Sequence, residues 1–286
     1  RRASRGGPRS THPALPMRLT EYERTAQREI ERWGRGETLL QQALGFAMRP
    51  VDWAFDQFVP ESVTDALTDA LTQALSTLND ASTWTYDADD VIAKAADVGV
   101  EVESVGELRD RPLDELDALA KQYASQNSVL AALSGGGAGL GGALLLAADI
   151  PVLFTINFRL IQQIAAAYGF PLKGPEYTPL VVAIFNVAAS GSREAKSDAL
   201  RELAVAAAAI DGGGYRGRKA QGTLREQIGH VPREIAKNLG AQKLAQMIPI
   251  AGAAVGAGVN YWFTDQTARA AVMLSRALYL ERKERL

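Results

Sequence analysis

The side chains that could carry chemistry in this chain are few and widely separated. Its two histidines, His12 and His230, cannot share one helix as metal ligands, and no His-Glu-x-x-His run occurs. With no cysteine in the sequence, thiolate nucleophiles, disulfides and sulfur-ligated zinc or iron–sulfur sites are excluded together. Ser190 and Ser192 could meet His230 only through the tertiary fold; lying between helical segments, they read as a helix stop and an N-cap. Asp89 and Asp90 open DDVIAKAADVG, where carboxylates suit the positive end of a helix dipole. These residues lean away from catalysis and require neither a metal nor a cofactor.

Asp149 and Arg159 are different, because each borders apolar sequence and a charge beside buried surface must be paired or wetted. They are candidates, with Tyr168, for contact with a ligand or lipid. The simpler assignment makes Asp149 the N-cap of a helix whose first turn holds Pro151. Arg159 then reaches solvent or a structural partner, and Tyr168 fills a core or an interface.

Just upstream lies SGGGAGLGGALLLAADIP. Gly137, Gly139 and Gly142 match the dinucleotide pattern GxGxxG, but a helical segment precedes them and Asp149 follows too soon for the ribose-binding acid. Gly212, Gly214 and Gly217 match again, also after a helix, so nucleotide binding is not expected. A bilayer fits better. Residues 129–148 carry no charge, and MIPIAGAAVGAGVNYWF is a second uncharged run ending in aromatics. Gly135, Gly137, Gly139, Gly141 and Gly142, like Gly252 and Gly256, offer small-residue stripes where helices approach closely in membranes or in soluble cores. At about 1 kcal/mol each relative to Ala, the glycines leave the first run a poor helix on its own.

The whole chain balances 31 Lys and Arg against 33 Asp and Glu, which gives no overall basic signature for nucleic acid. Residues 212–243 are locally basic, with Arg216, Arg218 and Lys219 at their centre, and they precede the second apolar run. That order suits anionic headgroups beside an interfacial helix.

These features must be positioned by helices, since apolar residues recur at three- and four-residue steps with almost no strand-like alternation. The stripe Val63, Ala66, Leu67, Ala70, Leu71, Ala74 and Leu75 marks an amphipathic helix, and Leu113, Leu116, Leu119 and Tyr123 mark another after Pro112. Gly169 and Pro171 end the helix containing Arg159; Thr178–Pro179 and Ser192 open two short ones; a long helix follows Pro249. The expected fold is all-α, one multi-helix domain with a glycine-rich apolar hairpin at its centre and a long C-terminal helix. Residues 1–17, basic and without acid, read as a disordered tail, either upstream of a start at Met17 or an arm for anionic lipid; 18–286 form the domain.

In order, YERTAQREIERW, GGGAGLGGALLLAADIPVLFTINFRLIQQIAAAYGF and the late MIPIAGAAVGAGVN resemble the EcsC family from Leu19 onward. Matching positions are Asp149, Pro151, Arg159, Tyr168, Gly169, Pro249, Gly252 and Asn260. The resemblance implies a bacterial helical protein, often membrane-associated and without settled activity, named for a gene beside a secretion-linked ABC transporter. The resulting expectation is a noncatalytic protein at the cytoplasmic face of the plasma membrane that binds lipid or a membrane-protein partner, accessory to transport or secretion. The alternatives are a cryptic hydrolase using Asp149, Arg159, Ser192 and His230 on lipid or peptide, and a soluble helical scaffold.

Overall fold

The computed structural model describes residues 19–35, 86–139, 142–174, 177–190, 197–201 and 252–285, with the backbone alone at 137–139, 142–150 and 252–256. Among these, the regular elements are all helical: α1 (Glu21–Gly34), α2 (Ala88–Asp97), a 3₁₀ segment (Val105–Asp110), α3 (Leu113–Gly139), α4 (Gly142–Ala167), α5 (Thr178–Ala189) and α6 (Gly252–Arg285). The all-α expectation holds, and the long C-terminal helix runs for 34 residues. The amphipathic stripe at 63–75 and the basic residues at 212–243 lie outside the described residues.

Local chemistry sets most of the boundaries. Thr20 and Glu23 form a capping box on α1, and the Asp87 side chain accepts from the Asp89 N–H at the start of α2. Gly169 closes α4 with paired bonds, its own N–H to Ala166 (2.8 Å) and that of Phe170 to Ala165 (2.9 Å). Here φ is +75°, and an added Cβ would stand 2.4 Å from the Arg109 backbone nitrogen. Glycine is therefore required twice over, for the left-handed turn and for the close approach of the 3₁₀ segment.

The start of α4 departs from the sequence expectation. Asp149 is not an N-cap and Pro151 is not in the first turn, because the helix begins at Gly142 and carries Pro151 in its interior. Good helix formers at 144–148 extend the helix upstream, outweighing the backbone hydrogen bond that proline removes. The Thr155 hydroxyl donates to the Pro151 carbonyl at 2.8 Å. The glycines, too, are more helical than expected: α3 continues through Gly135, Gly136 and Gly137 to Gly139.

Uncharged residues 129–148 are thus two helix arms separated by residues 140–141 instead of one span. Cross-contacts give the direction. Asp117 meets Tyr168 and Asn127 meets Gln163, so α4 returns antiparallel along α3. On α6, Arg276 meets Asp117 and Tyr279 meets the Arg111 carbonyl, so α6 is also antiparallel to α3. Asn157–Thr264 pairs α4 with α6 in parallel. Residues near 130, 152 and 261 consequently share one end of a three-helix bundle, and residues near 117, 168 and 276 share the other.

All twelve residues of α5 are buried, the condition a helix that is apolar all round requires. Phe185 stands edge-on to Phe154 (5.3 Å) and Phe263 (5.1 Å) and tilted against Phe158 (5.0 Å), tying α5 to α4 and α6. We expect Gly169→Ala to destabilise the protein by roughly 2–4 kcal/mol, combining left-handed strain with backbone overlap. The measurement is a thermal or denaturant melt, and a melt unchanged from wild type would refute the close approach.

Candidate functional site

At one end of the bundle four helices meet on a single carboxylate. Asp117 on α3 accepts two bonds from Arg276 of α6, Nε at 2.9 Å and Nη2 at 2.7 Å, in the bidentate geometry that makes such pairs strong. The Tyr22 hydroxyl of α1 donates to Asp117 at 2.5 Å, and that of Tyr168, just beyond α4, donates to its other oxygen. Arg276 also reaches Glu29 of α1 at 2.7 Å. The side chains of Asp117 and Arg276 are only 11% and 12% exposed. Burial alone disfavours the Arg276 charge, but the Asp117 bonds and charge raise its pKa above the ordinary arginine value. Burial and Asp117 push the Tyr22 hydroxyl up to about 12 and that of Tyr168 well above its ordinary value, so both remain donors.

A second buried carboxylate lies close by. Glu23, the capping-box residue of α1, accepts from Lys283 at 2.5 Å and from the Thr20 N–H at 2.7 Å. Tyr279 shares its hydroxyl proton between Glu23 (3.3 Å) and the Arg111 carbonyl (3.1 Å). Burial opposes the Glu23 charge, yet the Lys283 and Thr20 hydrogen bonds hold the carboxyl below its ordinary value. One residue therefore both starts α1 and fastens it to α6.

The residues singled out from the sequence do not gather in one place among the described residues. Tyr168 is fully buried at the Asp117 junction. Arg159 is exposed on α4, where its charge helps to lower the Asp90 carboxyl; burial opposes that shift, and bonds from Lys94 and Tyr123 are the larger favourable causes. Asp149 lies within α4, while Arg216, Arg218, Lys219, Ser192, His230 and Gly141 lie outside the described residues, and Gly137, Gly139, Gly142, Gly252 and Gly256 are helical backbone in α3, α4 and α6. Gly135 is buried in α3. Asp117 and Arg276 were not anticipated. The available signal was an acid one step from Leu116 inside an apolar stripe, and a lone arginine between Arg269 and Glu281.

The opposite end of the bundle has a different character. Val129 and Leu130 (both 51% exposed), Leu133 (71%), Val152 (47%) and Tyr261 (47%) face outward from three helices. Along the chain there is no charge between Lys121 and Asp149 or between Lys243 and Asp265. Among the described residues, no helix is long and apolar enough to cross a membrane, and no group of three metal-ligating side chains occurs.

The model of the EcsC protein family matches residues 24–280. The chain belongs to the EcsC family. Curated relatives include Protein EcsC of Bacillus subtilis (strain 168), 30% identical over 151 residues, covering 52% of this chain and 57% of that protein. The uncharacterized protein YdbA of the same strain is 28% identical over 162 residues, covering 55% of this chain and 56% of that protein. The chain thus aligns with somewhat over half the length of each. No solved structure matches it.

In this EcsC-family fold the family match includes every residue of the Asp117 junction except Tyr22. Asp117→Leu should cost about 3–5 kcal/mol by leaving a buried guanidinium short of its partner, while Asp117→Leu combined with Arg276→Met should recover most of the loss. Denaturant melts of the two singles and the double test this; strict additivity would contradict the coupling. Because the folded pKa of Glu23 lies below its ordinary value of 4.5, the stability it adds is complete above that pH and is lost as pH falls through the folded value. Melting temperature should therefore fall more steeply below pH 4.5 in wild type than in Glu23→Gln, and parallel pH profiles would exclude this role.

Proposed function

We propose that this EcsC-family chain is a noncatalytic, membrane-associated protein that seats the apolar end of its bundle, whose three arms carry Asp149 as their one charged residue, in one leaflet of a bilayer, at the inner face of the plasma membrane. The observation that carries the proposal is the exposure of Val129, Leu130, Leu133, Val152 and Tyr261 together at the end formed by the uncharged arms of α3 and α6 and by α4 on either side of Asp149. Scattered exposed apolar residues are ordinary, whereas a cluster on adjoining elements marks an interaction surface.

Dimensions support a partial insertion. From Val129 to the end of α3 at Gly139, ten helical steps of 1.5 Å give about 15 Å, half of a hydrocarbon core of about 30 Å. Tyr261 and the half-buried Trp262 lie at a comparable distance from the start of α6, where amphipathic rings favour the lipid–water boundary. The antiparallel arms end at Gly139 and begin at Gly142, which suits a wedge and not a span. At the other end, exposed Glu101, Glu103, Glu107, Arg109 and Asp110 remain in water. Attraction to anionic lipid through Arg216, Arg218 and Lys219 is a sequence-based part of the proposal, as is a membrane-protein partner in transport or secretion.

Flotation on vesicles of phosphatidylcholine with phosphatidylglycerol tests this. Wild type should rise with the vesicles, and Leu130→Asp/Leu133→Asp should partition about a hundredfold more weakly, since two lost apolar insertions amount to roughly 3 kcal/mol. Equal flotation of variant and wild type, or wild type left unbound at low salt, would sink the proposal.

A further inference from the structure

We propose, resting on the bilayer reading above, that a girdle of mixed charge around the bundle lies in the headgroup layer and recognises a zwitterionic phospholipid with a primary ammonium. Its arginines and lysine meet the phosphate, and its carboxylates meet the ammonium. The girdle is the last step in an ordered change of chemistry along each helix. On α3, at about 1.5 Å per residue from its end at Gly139, exposed Leu133, Leu130 and Val129 lie at about 9–15 Å. Exposed Gln126 and Ser125 follow at about 20–21 Å, and exposed Lys121 at about 27 Å. On α6, counting from Gly252, exposed Tyr261 and half-buried Trp262 lie at about 14–15 Å, Asp265 at about 20 Å and Arg269 at about 26 Å. The exposed stripe of α4 repeats the order, with Val152, then Thr155, then Arg159.

Contacts bring Arg159 and α2 to the same level. Asn157, two residues before Arg159, bonds Thr264 beside Asp265 at 3.3 Å. The Arg159 charge acts on Asp90, whose carboxylate accepts from Tyr123 of α3 at 3.0 Å and is neutralised by Lys94. Next to that pair, Asp87 and Asp89 are exposed. The band thus sets Lys121, Arg159 and Arg269 against Asp87, Asp89 and Asp265, and among the described residues none of the three cations forms an ion pair. Toward the tip the three arms carry Asp149 as their one charge. A leaflet presents the same order, about 15 Å of hydrocarbon and then a headgroup layer about 5–8 Å deep. The charges begin about 5 Å beyond Val129, and lysine and arginine reach back into that layer along their stems. A purely anionic surface would repel the three acids. A headgroup bearing both signs satisfies acids and cations together, and a primary ammonium adds N–H donors that a quaternary one lacks.

Flotation of the full chain on vesicles of phosphatidylcholine, with and without phosphatidylethanolamine, tests the recognition. Wild type should bind the ethanolamine vesicles about tenfold more tightly, the scale of one charge-assisted hydrogen bond. Asp87→Asn/Asp89→Asn/Asp265→Asn, which keeps side-chain shape and the cap of α2, should lose that preference. On phosphatidylglycerol vesicles the same variant should gain about fivefold over wild type for each charge removed. A cooperative thermal melt checks that it is folded. Because the chain has no cysteine, nitroxide labels report the level directly. Gln126→Cys should meet oxygen and a water-soluble nickel chelate to an intermediate degree, between Leu133→Cys in hydrocarbon and Glu103→Cys in water. Equal binding of wild type to the two vesicles, or a preference that the Asn variant keeps, would overturn the headgroup recognition and leave insertion of the apolar end standing. A Gln126 label as buried as Leu133, or as wet as Glu103, would overturn the level of the girdle. Wild type that floats on none of the vesicles would remove the bilayer reading and this inference with it.

Discussion

The pairing of Asp117 with Arg276 is the constraint on which the rest of the structure depends. A buried carboxylate and a buried guanidinium are each costly alone, so once α3 carries Asp117 the facing helix must present Arg276 at that level. This fixes the register of α6 against α3. From Arg276 back to Tyr261 along α6, and from Asp117 out to Leu130 and Leu133 along α3, the two helices then bring their uncharged ends together. Tyr22 and Glu29 bring α1 to the same point, and Tyr168 brings the end of α4. The charged end thus specifies alignment, and the apolar end follows from it.

The two ends divide their work by chemistry. Strong, directional bonds collect where side chains can be shielded and still reach opposite charge, while the other end relies on small residues, aromatic contacts and neutral amides. Phe154, Phe158, Phe185 and Phe263 fill the space between α4, α5 and α6 without a polar requirement. Asn127 and Asn157 then supply direction where ion pairs would be out of place.

Much of the helical layout was legible because caps and periodicity act locally. Gly169 ends its helix as its φ requires, Thr178–Pro179 opens α5, and the stripe Leu113, Leu116, Leu119 is buried as its spacing implies. Pro151 misled because helix-start preference is only a prior; three leucines upstream continue the helix through it. Asp117 escaped notice for the opposite reason. Nothing local distinguishes an acid at the edge of a stripe from a solvated one, and its partners lie 95, 51 and 159 residues away along the chain. Of the candidate residues, Tyr168 entered a structural junction and Arg159 stood apart from it. The apolar end was legible as two uncharged runs, but their convergence depended on register that only the distant ion pair sets.

The contacts made by α6 also impose an order on assembly. Hairpin α3–α4 closes through neighbours in sequence and can form early, since short loops cost little entropy to close. Glu29 and Glu23, by contrast, wait for partners 247 and 260 residues downstream. During synthesis α1 can meet α3 through Tyr22 and Asp117, but its carboxylates Glu23 and Glu29 gain Lys283 and Arg276 only once α6 has emerged. The emergence of α6 is therefore the step that brings the carboxylates of α1 their opposite charges.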